Sequence, residues 1–112
     1  MISIKIFRDK DGNILGLKSR GHAGYAKRGS DVVCAAVSML VINSLNAIEK
    51  FSDTGMELKS EDQDGGVIDV RFTGIPDEKA KLILDTMLLG LSDVEGQYGG
   101  EYLKLVDTIE RR

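Results

Sequence analysis

Ile2, Ile4 and Ile6 alternate with Ser3, Lys5 and Phe7 over residues 2–7, the two-residue period of a strand with one face on a core. Asp9-Lys10-Asp11-Gly12-Asn13 supplies turn residues. Ile14 to Arg20 then resumes the alternation, with Leu15 and Leu17 on one face and Lys18 and Arg20 on the other, so the two stretches predict a hairpin. After Gly21-His22 comes a glycine-bearing loop, Ala23 to Ser30, and then the period changes. From Val32 to about Phe51 the pattern predicts a helix with Asp31 as N-cap. Val32, Val33, Ala35, Ala36 and Val37 make its first turns apolar nearly all round, which predicts burial on every side. Asn43, Asn46, Glu49 and Lys50 bring the second half out to solvent.

Met56 to Ser60 and Val67 to Phe72 predict a second hairpin around the acidic segment Glu61 to Gly66, with Ile68, Val70 and Phe72 facing inward. Gly74-Ile75-Pro76-Asp77 opens a second helix to about Glu95, where Ile83, Met87, Gly90, Leu91 and Val94 recur at spacings of three and four. Gly96 to Gly100 breaks it, and Tyr102 to Ile109 forms a last strand. The order β-β-α-β-β-α-β predicts an α+β fold, an antiparallel or mixed five-stranded sheet with two helices on one face. The other face is left to solvent or to a second copy. With no repeat or linker, residues 1–112 read as a single domain.

Charged residues make up 29% of the chain, and no run of consecutive apolar residues reaches the ~18 that span a bilayer, so no membrane partner is expected. The alternating N-terminus is a strand pattern and not a signal peptide, which predicts a cytoplasmic location. A net charge of −3 removes the broad attraction on which most nucleic-acid binders rely, and no direct nucleic-acid contact is expected. Asp9, Asp11 and Asn13 mimic the opening of a calcium loop, but Arg20 occupies the twelfth position, where a bidentate Glu belongs. The acidic segment at 61–66 reads as a solvated turn. One Cys and one His can form neither an internal disulfide nor a four-ligand zinc site, so neither metal nor cofactor is expected.

That scarcity concentrates the chemistry on two residues. Cys34 falls in the first turn of its helix, where unpaired N–H groups and the positive end of the helix dipole favour a thiolate. His22 ends the preceding strand, and one flexible loop joins the two, so the imidazole can take the thiol proton and return it to a leaving amine. Asp31, three residues before Cys34, and Ser38, one turn after it, are the supporting polar candidates. The N–H groups at the helix start, that of Cys34 included, would form an oxyanion hole. Gly24 and Gly29 give the loop around Tyr25, which follows Gly21, freedom at both ends, and it is the loop able to act as a lid. The bland alternatives are a small core cysteine, a structural histidine, a simple N-cap and a helix serine.

Gly21-His22-Ala23-Gly24-Tyr25 followed by Gly29-Ser30-Asp31-Val32-Val33-Cys34-Ala35-Ala36-Val37-Ser38 closely resembles the signature of the ribosomal-processing cysteine protease family, Prp. The resemblance implies an endopeptidase that removes the N-terminal extension of a large-subunit ribosomal protein, and so takes the precursor's N-terminal peptide as partner. It implies a catalytic dyad of His22 and Cys34, supported by Asp31 and Ser38, in a homodimer whose loop closes on the peptide. Lys27 and Arg28 in that loop depart from what relatives are expected to carry. The rival readings are a non-catalytic dimeric ribosome-associated adaptor in which Cys34 is a buried structural residue, and another thiol enzyme using the same nucleophile. The second cannot be a self-contained disulfide switch, because the chain has no resolving cysteine.

Overall fold

The computed structural model describes residues 1–27, 30–61 and 66–109. The chain forms β1 (Ile2–Arg8), β2 (Ile14–Arg20), α1 (Val32–Phe51), β3 (Met56–Glu61), β4 (Val67–Phe72), α2 (Glu78–Tyr98) and β5 (Leu103–Ile109), in the order predicted. The strands lie side by side as β3-β4-β2-β1-β5. Every neighbouring pair is antiparallel except β1 and β5, which run parallel and make the sheet mixed. The acidic turn expected at 61–66 falls at residues 62–65 outside the described residues.

The turn between β1 and β2 is held by Asp9, whose carboxylate accepts the N–H groups of Asp11 and Asn13 at 2.9 Å each. That is an Asx turn, and the second Asp9 oxygen accepts from the Asn13 side-chain amide at 3.1 Å, so the Asp9 carboxylate is spent within the turn. The faces of β2 differ from the simple alternation. Pairing runs Ile6 with Leu17, Phe7 with Gly16 and Arg8 with Ile14, leaving Leu15 as the extra residue of a bulge. The bulge resets the pleat, so Ile14 and Leu17 both turn to the core while Leu15 is only half-buried.

One face of the sheet, carrying Ile2, Ile4, Ile6, Leu17, Val70 and Leu103, packs against Val33, Val37, Val41 and Ile48 of α1 and Ala80, Leu84, Met87 and Leu91 of α2. Burying a side chain of this size is worth about 1.5–3 kcal/mol, which makes this seam the main source of stability. The opposite face stays open, with the Arg71 guanidinium 4.1 Å from the Phe7 ring centroid and 3.7 Å from Asp69.

Burial of α1 on all sides does not hold. One stripe is buried, while Val32, Met39 (67% exposed) and Ile42 (47%) face outward near its N-terminal half. A helix laid on a two-layer fold touches the sheet and its neighbour helix, and its third side stays outside however apolar it is. By length and composition α1 is also apolar enough to cross a membrane, and its buried stripe of Val33, Val37, Val41 and Ile48 packs into the core formed with the sheet and α2.

The second helix runs further than Gly96 suggested. It continues to Tyr98 and ends at Gly99, whose φ of 102° lets the chain turn away. A glycine inside a helix costs only about 1 kcal/mol against alanine, which the packing of Leu91 and its neighbours outweighs. Gly90 serves the contact between the helices, since a β-carbon there would press on the end of the Leu40 side chain.

Candidate active site

β2 leaves the sheet at Gly21, where φ is +95° and a β-carbon would collide with the Met1 carbonyl oxygen. Only glycine takes that conformation without strain. The turn delivers exposed His22, whose carbonyl accepts a 2.6 Å hydrogen bond from the Met1 nitrogen. Ala23 is buried next, and its N–H donates to Cys34 Sγ at 3.2 Å. The residue after the histidine is thereby fixed against the cysteine, eleven positions away in sequence.

A groove of about 510 Å³ opens at this junction. It is lined by Gly21, His22, Gly24 and Ala26 from the loop, by Cys34, Ala35, Ser38 and Val41 from α1, and by Ile2, Ser19 and Ile68 from the sheet. His22, Cys34 and Ser38 therefore line the same groove. Cys34 is half-buried, with its sulfur engaged by the loop. Ser38 stands one helical turn beyond it and is exposed.

Asp31 does more than cap. Its Oδ1 accepts the N–H groups of Val33 and Cys34, both at 3.0 Å, and its Oδ2 accepts those of Tyr25 at 3.0 Å and Ala26 at 3.4 Å. A carboxylate that is only 9% exposed thus ties the loop to the first turn of the helix that carries Cys34. Burial pushes its pKa up, but the hydrogen bonds from Cys34, Ala26, Tyr25 and Val33 outweigh that and hold the carboxyl below its ordinary value. Ser38 is not among its partners.

This arrangement corrects the expected oxyanion hole. The N–H groups of Val33 and Cys34 are committed to Asp31, which itself lines the groove. The donor directed at the sulfur comes instead from Ala23, on the opposite side of the junction.

Tyr25 is held at both ends. Its N–H meets Asp31, and its ring packs edge-on against Tyr98 at 5.4 Å and Tyr102 at 5.1 Å between centroids. These are the chain's three tyrosines, gathered from the loop, the end of α2 and the approach to β5. The sequence reading missed Tyr98 and Tyr102, as well as Ile68 and Ser19 in the groove. The clustering of two tyrosines around Gly99-Gly100 was the available signal. Gly29 and Arg28 of the expected lid lie outside the described residues. Lys27, the other departure, is exposed.

A cysteine and a histidine lining one groove, with a backbone donor at the sulfur, suit acyl transfer from a peptide. Comparisons with known proteins agree. Residues 1–104 match the model of the family described as cysteine protease Prp. The chain is 32% identical over 98 residues to the ribosomal processing cysteine protease Prp of Staphylococcus aureus, covering 88% of this chain and 92% of that one. The protein of the same name from Bacillus subtilis is 34% identical over 103 residues, covering 88% and 90%. Among solved structures, the S. aureus ribosomal processing protease Prp with a covalently linked product peptide superposes with a TM-score of 0.90 at 30% identity, covering 96% of this chain and all of that one. The same protease with a substrate peptide gives 0.83, again at 30% identity over 96% of this chain and all of that one.

Proposed function

This chain belongs to the Prp family of cysteine proteases, and on that premise we propose that it is a cytoplasmic endopeptidase that removes the N-terminal extension of a large-subunit ribosomal protein precursor. Cys34 is the nucleophile and His22 its base. The observation that carries the reading is the 3.2 Å bond from Ala23 N–H to Cys34 Sγ, which joins the histidine's loop to the nucleophile's helix at the wall of the groove.

In this mechanism His22 takes the thiol proton, and the sulfur adds to the scissile carbonyl carbon. The Ala23 N–H, already aimed at the sulfur, shifts to the oxygen that gains charge. His22 then protonates the leaving amine as the C–N bond breaks, leaving a thioester on Cys34. Water, activated by the same imidazole, adds to the thioester and releases the acid product and the thiol. Asp31 acts through others, since it touches both the loop and the helix turn and so sets their separation. Ser38 offers a hydroxyl on the groove wall, and Gly24 and Tyr25 belong to the loop that closes over the peptide. The working form is a homodimer, and the exposed apolar Ile75, Leu82 and Leu89 give each copy surface to cover. The adaptor reading requires a packed, inaccessible thiol, whereas Cys34 is half-buried and lines an open groove.

The deciding experiment is mass spectrometry of the ribosomal precursor from the same genome after incubation with wild type, Cys34→Ala or His22→Ala. A single new N-terminus should appear with wild type only. His22→Ala, altered at an exposed position, should fold normally and lose most of the rate. Turnover near wild type in either variant refutes the dyad. An intact precursor in the presence of folded wild type refutes the protease reading.

A further inference from the structure

A second apolar groove, of about 530 Å³, lies between the C-terminal half of α1 and β3 and is walled by Ile42, Leu45, Met56, Leu58 and Val70. It adjoins the first. Ile68 of β4 lines both, and on α1 the wall passes from Val41 in one to Ile42 in the other. Two of its apolar side chains are set toward solvent at real cost, Ile42 at 47% and Leu58 at 56% exposed.

We propose that this groove is a remote subsite for the substrate polypeptide, taking apolar side chains that lie roughly four to five residues from the bond cut at Cys34. The proposal deepens the protease reading and rests on it. The distance follows from the helix itself. Ile42 and Asn46 stand eight and twelve positions beyond Cys34, or about 12–18 Å along α1 at 1.5 Å per residue. An extended peptide advances about 3.3–3.6 Å per residue, so a chain threaded past Cys34 and kept against α1 reaches this groove after four to five steps.

The occupant is a peptide and not a second copy on grounds of size and shape. The groove has the volume of a small-ligand site, room for a few side chains. One side of a stable protein interface buries about 800 Å², far more than this concave strip offers. Adjacency to the groove that holds the nucleophile, across Ile68, lets one polypeptide reach both. Because the contacts lie away from the reacting atoms, they would act on substrate capture, and their loss would raise KM more than it lowers kcat.

The test uses two peptides from the precursor's cleavage region, one spanning three residues on each side of the bond and one spanning seven. Wild type should show a kcat/KM about tenfold higher for the long peptide. In Ile42→Ser and Leu58→Ser that long-to-short ratio should fall toward one, chiefly through KM. Calorimetry with Cys34→Ala should show the same preference in binding, free of turnover. Sedimentation of each variant then shows whether the change altered self-association. Equal use of both peptides by wild type overturns the subsite and leaves the protease reading standing. An unchanged ratio in both variants overturns it too, as does a ratio that falls only as self-association is lost. If wild type cleaves neither peptide nor the intact precursor, the protease reading fails and the subsite with it.

Discussion

Asp31 joins two parts of the site through one carboxylate, and substitutions can separate what each oxygen does. Asp31→Ala removes the acceptor for the N–H groups of Val33, Cys34, Tyr25 and Ala26. Loss of a cap costs about 0.5–2 kcal/mol. The two loop N–H groups belong to exposed residues that water can reach, so each of those bonds is worth about 0.5–1.5 kcal/mol. A total near 3 kcal/mol should lower Tm by about 12 °C in a domain of this size. Asp31→Ser should split the effects. A serine hydroxyl can still cap the helix, yet it has no second oxygen for Tyr25 and Ala26. Its melting temperature should therefore lie between those of wild type and Asp31→Ala, while its kcat/KM stays as low as that of Asp31→Ala. A loop displaced by even 1 Å can cost on the order of 100-fold in rate, and a loss of about 10–100-fold is expected. The assays are thermal melting by circular dichroism and precursor cleavage well below the lowest Tm. If Asp31→Ser regains activity along with stability, or Asp31→Ala cleaves at the wild-type rate when folded, Asp31 is a cap and nothing more.

The remaining predictions come from the same geometry. Gly21→Ala forces a β-carbon into a positive φ and against the Met1 carbonyl. It should cost about 1–3 kcal/mol in urea unfolding and displace His22, and a variant as stable and active as wild type would refute the role of this turn. Tyr98→Ala removes one of the two rings that seat Tyr25, so KM should rise by about fivefold while Tyr98→Phe stays near wild type. Equal kinetics for the two variants would dismiss the aromatic seat. The caps also set the response to acid. Asp77 accepts from Ala80 N–H and the Ser52 hydroxyl, and these bonds, with Ala80 foremost, hold its pKa below the ordinary value, as Asp31 is held. A carboxyl depressed in the folded state stabilises fully above its unfolded pKa of 3.8, and that contribution is lost as pH falls through the lower folded value. Urea midpoints should thus decline between about pH 4.5 and pH 2, and a flat profile over that range would contradict the assignment.

Sequence alone determined what depends on local periodicity and on scarcity. Alternation at Ile2, Ile4 and Ile6, turn chemistry at Asp9 to Asn13 and an N-cap at Asp31 are short-range effects, so the element order and a five-stranded sheet with two helices were legible. With one cysteine and one histidine, so were the candidate nucleophile and base. The parallel pairing of β1 with β5 that makes the sheet mixed was not legible. What the tertiary structure decided were the matters in which distant residues compete for the same group. The bulge at Leu15 depends on pairing across β1, and the exposure of Met39 and Ile42 depends on where α2 leaves α1 uncovered. By position in the sequence Asp31 reads as a cap or a site residue. Only the folded loop shows that its two oxygens serve both ends and consume the N–H groups that a helix start would otherwise offer a substrate. The seat for Tyr25 likewise comes from Tyr98 and Tyr102, more than seventy positions away, and no periodicity reports a contact made by folding the far end of the chain back over the near one.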